Sequence, residues 1–373
     1  MNGRVAYFNL ITVFQPGIAN KLRRQANVAA REGVDIDFFW LPSQRHVDGH
    51  AVDGKSRLQV RPVRGRNALS IRYHQARAVN ALSRGYDAVV LRYPQFDPVT
   101  ALFLRGKSGI TLEHHAKEPE ELRLRGDRRW WIERACGGVF MSRFRALTAV
   151  TDEILRFQQA RSGVAYGLVV PNGIDVLDTF IEESDVTSDV RLWNGESVMQ
   201  FLFVASAFHR WHGLEEVLEA WARDASDSDV LHLVGSVTGP QRETAEKLPN
   251  VRCHGVCDAG SIAALYKSCQ IALTSYRLDL KALTEASTLK TREYLLAGLP
   301  VFSGHGDSAF PPDFTYYRYQ PRPDFVEMRQ FVADHADTRR QDIREAAVPF
   351  IDAAVMTRKL HAFALRPEGC AGY

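Results

Sequence analysis

Long hydrophobic runs are missing from the sequence: no apolar stretch approaches the ~20 residues that a membrane-spanning helix requires. Residues 1–14 carry one charge and a short apolar run, and QPGIANKLRR follows where a small-residue cleavage site would be needed. We therefore interpret this segment as a first strand rather than a signal peptide. Internal repeats and low-complexity tracts are absent as well. These features predict a cytoplasmic globular protein.

Cysteine is scarce, and its pattern argues against both a disulfide framework and a zinc site. The number is odd and the spacing irregular, and no second pair accompanies the two cysteines at 253 and 257. Reduced thiols in a cytoplasmic protein are the simpler account. The sequence also lacks a P-loop and a G-x-S-x-G elbow, which excludes those nucleotidase and hydrolase classes. The five cysteines are Cys136, Cys253, Cys257, Cys269 and Cys370.

Charge is distributed unevenly along the 373 residues, a length that predicts two domains. Residues 1–172 contain 27 Lys/Arg and 15 Asp/Glu, a net charge of +12. Residues 173–373 contain 20 Lys/Arg and 29 Asp/Glu, a net charge of −9. Such a split indicates different partners for the two halves, and the positive half suits an anionic membrane surface or an anionic acceptor.

Strand and helix patterns alternate in both halves, which predicts α/β domains with doubly wound parallel sheets. The first half has strand patterns at 4–10, 34–41, 87–92 and 109–113 and helical patterns at 18–31, 70–82 and 98–104. Residues 146–154 are predicted to form a strand followed by the start of a capped helix. The second half has strand patterns at 201–205, 230–235, 251–256, 271–275 and 301–302, with helical patterns at 214–222 and 262–266. Most of 324–365 is predicted to be helical.

Residues 118–145 allow two interpretations, because arginines alternate there with aromatic residues. Trp130 and Trp131 beside arginines suit a helix at a membrane interface. Phe140 and Phe144 suit an amphipathic helix that faces the core and leaves its arginines in solvent.

The most informative run is EASTLKTREYLLAGLPVF, residues 285–302. A hydroxyl at Ser287 or Thr288 is expected to cap the start of a helix, and Gly298 and Pro300 are expected to end it. Lys290 and Glu293 would then share one face near the helix N-terminus, which attracts phosphate. Carboxylates nearby can accept hydrogen bonds from ribose or sugar hydroxyls. The run therefore suits a nucleotide sugar; the alternative is a solvent-exposed helix with a Lys/Glu pair.

This run resembles the E-x7-E region of family 4 glycosyltransferases, retaining enzymes of the GT-B fold. VVPNGID at 169–175 and FLFVASAFHRWHGLE at 201–215 resemble the segments that open the family's second domain, in the same order. The resemblance implies two Rossmann-like domains facing a cleft. Residues 1–172 would bind the acceptor and residues 173–345 the nucleotide sugar, while 346–373 would form a helix that crosses back to the first domain.

The resemblance also implies roles for particular residues. The predicted catalytic residues are His114, Glu285, Lys290 and Arg210, with His115 as second choice for the histidine. The predicted donor-binding residues are Glu293, His212, Gly213, Gly235, Gly255 and Leu289. The predicted acceptor-side residues are Gly17, Lys21 and His115. No metal is expected, and we interpret Asp35 and Asp37 as strand residues rather than a metal-binding DxD motif.

The loop at 206–213 departs from the family pattern. His212-Gly213 stands where the family has Lys-Gly, and Ser206 stands at the position of its arginine. Arg210 is expected to supply the fixed positive charge to the diphosphate. His212 is expected to donate a hydrogen bond and to be partly neutral at working pH, because an unperturbed imidazole has a pKa of about 6.5.

The predicted function is therefore transfer of a sugar, with retention, from a UDP- or GDP-linked donor to an acceptor hydroxyl. The expected acceptor is a lipid-linked or polysaccharide precursor in cell-envelope glycan assembly. The basic first half would allow peripheral contact with the inner face of the cytoplasmic membrane; no nucleic-acid partner is expected. Two alternatives stay open: a nucleotide-sugar 2-epimerase of the same fold, and an inactive subunit that only binds the sugar nucleotide.

Overall fold

The computed structural model describes residues 3–13, 16–46, 57–104, 109–177, 190–195 and 198–370. The chain forms two compact units. The first comprises Met1–Pro171 and Ala353–Tyr373, and the second comprises Asn172–Asp352. Each unit is built on one parallel sheet, and the predicted fold class is confirmed.

The first unit contains a seven-stranded sheet in the order β3-β2-β1-β4-β5-β6-β7. Two of its central strands, Val5–Asn9 and Ala88–Arg92, are apolar up to their last residue, as expected for a parallel sheet covered by helices on both faces. The strands are β1 (Val5–Asn9), β2 (Ile36–Trp40), β3 (Leu58–Val60), β4 (Ala88–Arg92), β5 (Ile110–His114), β6 (Ala146–Ala149) and β7 (Tyr166–Val169). The helices between them are α1 (Pro16–Arg31), α2 (Ala68–Leu82), α3 (Pro98–Phe103), α4 (Glu118–Leu124), α5 (Trp130–Met141) and α6 (Asp152–Ser162).

The second unit contains a six-stranded sheet in the order β10-β9-β8-β11-β12-β13. Phe201, Trp221 and Phe325 pack edge to face in its core. The strands are β8 (Gln200–Ala207), β9 (Val230–Ser236), β10 (Val251–Gly255), β11 (Ile271–Leu273), β12 (Val301–Ser303) and β13 (Tyr317–Tyr319). The helices are α7 (Leu214–Asp224), α8 (Gly239–Lys247), α9 (Ala259–Ser268), α10 (Leu289–Leu296), α11 (Phe325–Asp334) and α12 (Arg340–Ile351).

The last long helix, α13 (Ala353–Leu365), belongs to the first unit. Met356, Leu360 and Ala364 lie in that unit's core. The division falls after Asp352, whereas the sequence suggested 345, because Ala347 and Ile351 at the end of α12 are buried in the core of the second unit.

The arginine- and tryptophan-rich segment folds as two helices, α4 and α5, rather than one. Phe140 is buried, so the C-terminal part of α5 faces the core, as one of the two interpretations expected. Trp130 and Trp131 are 36% and 57% exposed at the start of α5. None of the helices in the described ranges combines the length and the hydrophobicity that crossing a bilayer requires.

Candidate active site

The predicted helix after Glu285 is α10, and its N-terminus is built by hydroxyl groups. Thr288 is the N-cap, and its side chain accepts from the backbone N–H of Thr291 at 3.2 Å. The Ser287 hydroxyl accepts from the backbone N–H of Asn172 at 2.8 Å, and the Asn172 amide donates to the Ser287 carbonyl at 2.6 Å. Of the two candidate capping residues, Thr288 therefore caps the helix, and Ser287 binds Asn172, the first residue of the second unit.

Lys290 and Glu293 meet one turn into α10. The Lys290 ammonium donates to the Glu293 carboxylate at 2.7 Å, and the same oxygen lies 3.2 Å from the Tyr266 hydroxyl. Glu293 is 7% exposed, whereas about a third of the Lys290 side chain is accessible. The carboxylate is therefore fixed from two sides, and the ammonium group stays within reach of a ligand. Leu289 is the first residue of the helix.

Glu285 lies on a loop joined to the loop that follows β12. The backbone of Ala286 donates to Gly306 O at 3.0 Å, and Gly306 donates to Thr284 O at 2.9 Å. This short parallel bridge between Glu285 and Gly306 fixes the backbone at the first carboxylate of the E-x7-E run.

Sequence reasoning missed Arg292, although it lies within this run. Its side chain and that of Asp307 are completely buried and form a two-pronged ion pair. Arg292 also donates to the carbonyls of Asn172 at 2.9 Å and Thr288 at 3.3 Å. One guanidinium group therefore links the start of the unit, the α10 cap and the loop after β12. In the sequence, the only sign of an ion-pair partner for Arg292 was Asp307, which lies in an otherwise apolar and glycine-rich stretch.

The loop after β8 carries His212, which is held in one orientation. The backbone N–H of His209 donates to Nδ1 of His212 at 2.9 Å, so a neutral ring carries its proton on Nε2. Burial, together with the charges of His209 and Lys281, lowers the pKa of His212 to about 4. The ring is therefore neutral at neutral pH and presents an N–H donor rather than the partial positive charge that the sequence suggested.

Arg210 supplies the fixed charge of this loop. Its side chain is exposed, and in the described part of the chain it makes no hydrogen bond or ion pair. Trp211 stacks on His209 with ring centroids 4.3 Å apart, and the Lys281 ammonium lies 4.2 Å from the Trp211 ring centroid. In the described residues, this loop therefore offers one guanidinium that has no protein partner. The stacked rings of Trp211 and His209 lie beside it in the loop.

The loops after β8, β11 and β12 contact one another in series. Tyr276 donates to His212 O at 3.0 Å, and Gly304 donates to Ser275 O at 3.2 Å. Because Gly306 in turn binds the Glu285 loop, the histidine loop and the E-x7-E run lie on the same edge of the sheet, where the carboxyl ends of the strands meet. Open parallel sheets bind ligands at this edge.

Glycine is required for a different structural reason at each of the predicted positions. Gly213 has φ +71°, and a Cβ there would lie 2.8 Å from the Cβ of Tyr276. A Cβ at Gly235, with φ +122°, would lie 1.8 Å from the carbonyl oxygen of Ala205. Gly255 has φ +68° and open space around it. Packing of β9 on β8 thus accounts for Gly235, while Gly255 leaves room beside its backbone.

In the first unit, the end of β5 gathers a cluster around Glu113, a residue that sequence reasoning passed over. The Tyr7 hydroxyl donates to the Glu113 carboxylate, and Nε2 of His115 donates to it at 2.9 Å. Lys21 on α1 and Arg92 at the end of β4 act on the same carboxylate electrostatically. The signal was the alternation of Thr111, Glu113 and His115 on one side of the strand. Gly17 falls in the first turn of α1, not in a loop before it.

Electrostatics fixes the protonation states in this cluster. Burial raises the pKa of Glu113, but His115, Lys21 and Arg92 together outweigh it and hold that pKa well below its ordinary value. Burial, reinforced by Lys21 and Arg92, lowers the pKa of His115 to about 3. Burial also lowers the pKa of Lys21 to about 8. At neutral pH the cluster therefore contains an ionised carboxylate, a neutral imidazole and two cations.

His114 and His115 differ in accessibility. His114 is fully buried, its Nδ1 bonds to Glu118 at 2.9 Å, and its Nε2 has no hydrogen-bond partner among the residues that the structure describes. His115 lines a cavity of about 450 Å³, and His114 does not. Of the two candidates, the structure therefore favours the second choice, His115, as the histidine that a ligand can reach.

Among the described residues, no group of three His, Cys, Asp or Glu side chains is arranged to hold a metal ion. Asp37 instead bonds to Arg4 at 3.3 Å and to the Tyr86 hydroxyl at 2.6 Å, while Asp35 bonds to Arg57 at 3.0 Å. Both carboxylates of the DxD-like pair therefore form hydrogen bonds to side chains of neighbouring strands and loops.

Residues 210–362 match the family model described as glycosyl transferase-like. No curated protein matches the sequence. Among solved structures, sucrose-phosphate synthase from Thermosynechococcus elongatus is 14% identical over 97% of this chain and 98% of its own, with a TM-score of 0.64. WaaG, a glycosyltransferase involved in lipopolysaccharide biosynthesis, is 14% identical over 97% of this chain and all of its own, with a TM-score of 0.60. Anabaena HepE in complex with UDP is 12% identical over 96% and 98%, with a TM-score of 0.64.

At these identities the structural likeness shows the fold, which is that of GT-B glycosyltransferases. The family match is more specific, because its range contains the loop at 210–213, Glu285 and the Lys290–Glu293 pair. Together, the match and the common architecture support a glycosyltransferase enzyme.

Proposed function

We propose that this chain is a retaining, family 4-type glycosyltransferase that moves a sugar from a UDP- or GDP-linked donor to an acceptor hydroxyl without a metal. The observation that carries the proposal is the position of the Lys290–Glu293 pair at the start of α10, within the segment that matches glycosyl transferase-like proteins. A helix N-terminus, a reachable ammonium group and a fixed carboxylate suit a diphosphate joined to a ribose.

In this proposal the second unit binds the donor. Glu293, fixed by Tyr266 and Lys290, accepts from the ribose hydroxyls. Glu285 accepts from hydroxyls of the donor sugar. Gly213 and Gly255 allow close approach of the ligand to the backbone. Among the structural neighbours, HepE is in complex with UDP, which makes a uridine nucleotide the first donor to test.

The chemistry that these residues would supply is stabilisation of the leaving group. The bond between the anomeric carbon and the β-phosphate oxygen breaks, and a bond from the same carbon to the acceptor oxygen forms. Negative charge grows on the leaving phosphate, where Lys290, Arg210 and the Nε2–H of His212 stabilise it. The acceptor hydroxyl proton passes to that phosphate on the same face of the sugar, which gives retention without a carboxylate nucleophile.

The first unit would bind the acceptor, through His115, Lys21 and the first turn of α1 that contains Gly17. We propose a lipid-linked or polysaccharide precursor of the cell envelope as the acceptor. The relative WaaG acts in lipopolysaccharide biosynthesis, and the exposed tryptophans on α5 suit a protein that works beside a membrane.

The function is tested by incubating the protein with labelled UDP- and GDP-sugars and a lipid-linked sugar acceptor, with and without excess chelator. We expect a glycosylated product whose anomeric configuration matches the donor, formed equally in chelator. Conversion of the donor to its 2-epimer, or donor binding without turnover, would refute transfer in favour of one of the two alternatives. Activity lost in chelator and restored by magnesium or manganese would contradict the metal-free part.

Replacement of His212 is expected to change the rate but not its pH dependence. His212→Ala should reduce turnover by roughly tenfold or more, the cost of a lost hydrogen bond to a charged group. Since a pKa of about 4 leaves the ring neutral throughout the range from about pH 6 to 8, the pH–rate profile in that range should keep its shape. His212→Lys should retain activity. Wild-type turnover in His212→Ala would rule out the phosphate contact and leave Arg210 and Lys290 to bind the diphosphate.

The same residue gives a signed prediction for stability. The folded pKa of His212, about 4, lies below the unfolded value of about 6.5. Its contribution to stability is therefore present above about pH 6.5 and is lost as the pH falls towards 4. Urea unfolding of wild type and His212→Ala at several pH values measures this difference, which should shrink on acidification.

Peripheral membrane contact is expected through the surface formed by α4 and the start of α5. Leu124 and Trp131 are 53% and 57% exposed there, among the exposed arginines Arg123, Arg125, Arg129 and Arg134. Each of these arginines pairs with Glu120, Glu121 or Asp127, so the attraction comes from the net charge of +12 on residues 1–172. The protein should co-sediment with anionic liposomes at low salt and dissociate as salt rises, because salt screens that attraction. Trp130→Ala/Trp131→Ala should weaken binding, whereas Leu69→Ala, exposed on α2, should not. No sedimentation at low salt would disprove this contact.

A further inference from the structure

We propose that the cavity at the carboxyl end of the first unit's sheet binds a phosphate group on the acceptor, so that the acceptor is a phosphate ester rather than a neutral sugar. This inference rests on the proposed function and specifies its acceptor. The observation behind it is a cavity of about 450 Å³ whose lining includes four arginines: Arg72, Arg92, Arg125 and Arg129.

The cavity lies where a parallel sheet presents ligands. Its walls come from the segments after β1 and β4, from the residues at the end of β5 and from α4. Ile18 on α1 and His115 line it as well. Lys21 follows Ile18 by one turn of α1, and its charge acts on Glu113, which also lines the cavity. Of the residues assigned to the acceptor from the sequence, His115 thus lines this space, and Lys21 acts electrostatically on Glu113 in its wall.

Two arginines form the inner part of this cationic wall, and they differ in how they are held. Arg72 is fixed by the carbonyl of Leu10 at 3.1 Å and by Gln75 at 3.0 Å, with Asp97 at 3.8 Å. Arg92 is only partly exposed, and nowhere in the described ranges does its guanidinium meet a hydrogen-bond acceptor or a carboxylate within ion-pair distance. A half-buried guanidinium with no partner is costly unless a ligand supplies an anion.

The carboxylates of the cavity are already engaged elsewhere. Glu113 accepts from the Tyr7 hydroxyl and from His115. Glu118 bonds to His114 and to Gln158. Glu121 pairs with Arg125 at the exposed rim. Arg92 is thus left with electrostatic attraction to Glu113 but no direct pair, and it remains available to an incoming oxyanion.

A phosphate fits this arrangement better than uncharged hydroxyls do. Guanidinium groups bind phosphate oxygens through two parallel hydrogen bonds, and Arg72 is held rigidly enough to offer such a fork beside Arg92. The ammonium of Lys21 adds a further positive charge next to the cluster. The phosphate can belong to a soluble sugar phosphate or to a lipid-linked sugar, and both present the same group.

The test is equilibrium binding to the full chain with UDP and GDP at saturation, so that diphosphate sites in the second unit are occupied. The probes are glucose 6-phosphate, a polyprenyl phosphate in micelles, and the neutral partners glucose and the polyprenol. We expect at least one phosphate probe to bind about tenfold or more tightly than its neutral partner. Arg92→Gln should lose about tenfold to a hundredfold of that affinity. Arg92→Lys, which keeps the charge but not the fork, should lose less and guards against misfolding.

Arg84→Gln is the matched control, because Arg84 is an exposed arginine of the same unit that does not line the cavity. Binding of glucose 6-phosphate alone assigns a soluble acceptor, and binding of the polyprenyl phosphate alone assigns a lipid one. Equal affinity for charged and neutral probes, or equal loss in Arg92→Gln and Arg84→Gln, overturns the inference. Arg92-dependent phosphate binding without any sugar transfer would contradict the proposed function but support the phosphate site.

Discussion

Replacing Arg292 with methionine is expected to lower the free energy of unfolding of the second unit by about 3–5 kcal/mol. The side chains of Arg292 and Asp307 are both completely buried, so the substitution leaves an aspartate charge in the core without its partner. It also removes the donor that holds the carbonyl of Asn172 at 2.9 Å. Urea unfolding followed by tryptophan fluorescence measures the effect, since Trp221 lies in the core of this unit.

Two further variants separate the ion pair from the loss of a side chain. Arg292→Met combined with Asp307→Leu should recover much of the lost stability, because a buried pair replaced by apolar groups is often neutral. Arg191→Met breaks an ion pair with Asp337 whose side chains are 62% and 88% exposed, and it should cost no more than about 1 kcal/mol. An unfolding midpoint in Arg292→Met equal to that in Arg191→Met would show that the buried pair does not organise this unit.

Loss of the ammonium group at Lys290 is expected to reduce turnover by roughly 10- to 100-fold, the effect of removing a charge-assisted contact worth about 1.5–3 kcal/mol. In Lys290→Met, kcat should fall more than the donor KM rises, because the charge on the leaving phosphate grows only as the bond breaks. Glu293→Gln should mainly raise the donor KM, since ribose is bound equally before and during the reaction. Steady-state kinetics with the preferred nucleotide sugar separates the two effects.

Lys247→Met provides the control, because Lys247 is an exposed lysine at the end of α8 in the same unit. Thermal unfolding should show that all three variants stay folded. The Lys290 side chain is partly exposed, and Glu293→Gln keeps the size and shape of the side chain at its buried position, so the apolar core is unchanged. If Lys290→Met and Glu293→Gln both keep wild-type kcat and KM, the E-x7-E run does not bind the donor.

Local patterns were sufficient for the elements that depend on neighbouring residues. Apolar runs predicted the buried strands. A cap at Ser287 or Thr288 and a stop at Gly298 and Pro300 predicted both ends of α10, because capping and termination involve residues only a few positions apart. Short elements without a clear apolar pattern were not predicted. The strand β13 has three residues with little apolar character, and it forms because the edge of β12 is there to pair with it.

Contacts between distant residues needed the tertiary structure. His114 and His115 are adjacent histidines that the sequence does not distinguish. In the fold, His114 is buried beside Glu118 of α4 and the Tyr93 ring, whereas His115 lines a cavity. The neutral state of His212 likewise depends on burial and on Lys281, a residue 69 positions away. A sequence shows which groups can ionise, whereas their surroundings decide whether they do.

The sequence by itself determined the two-unit α/β architecture, the E-x7-E spacing at 285–293 and the basic character of the first half, because periodicity, spacing and charge are properties of the chain. Only the tertiary structure decided which charged groups are bound to one another and which remain open to a ligand. Arg292 is buried against Asp307, fifteen residues away, whereas Arg92 stands at the end of β4 without a carboxylate partner in the described part of the chain. The sequence around each arginine does not distinguish them, because only the fold removes water from Arg292 and leaves a cavity beside Arg92.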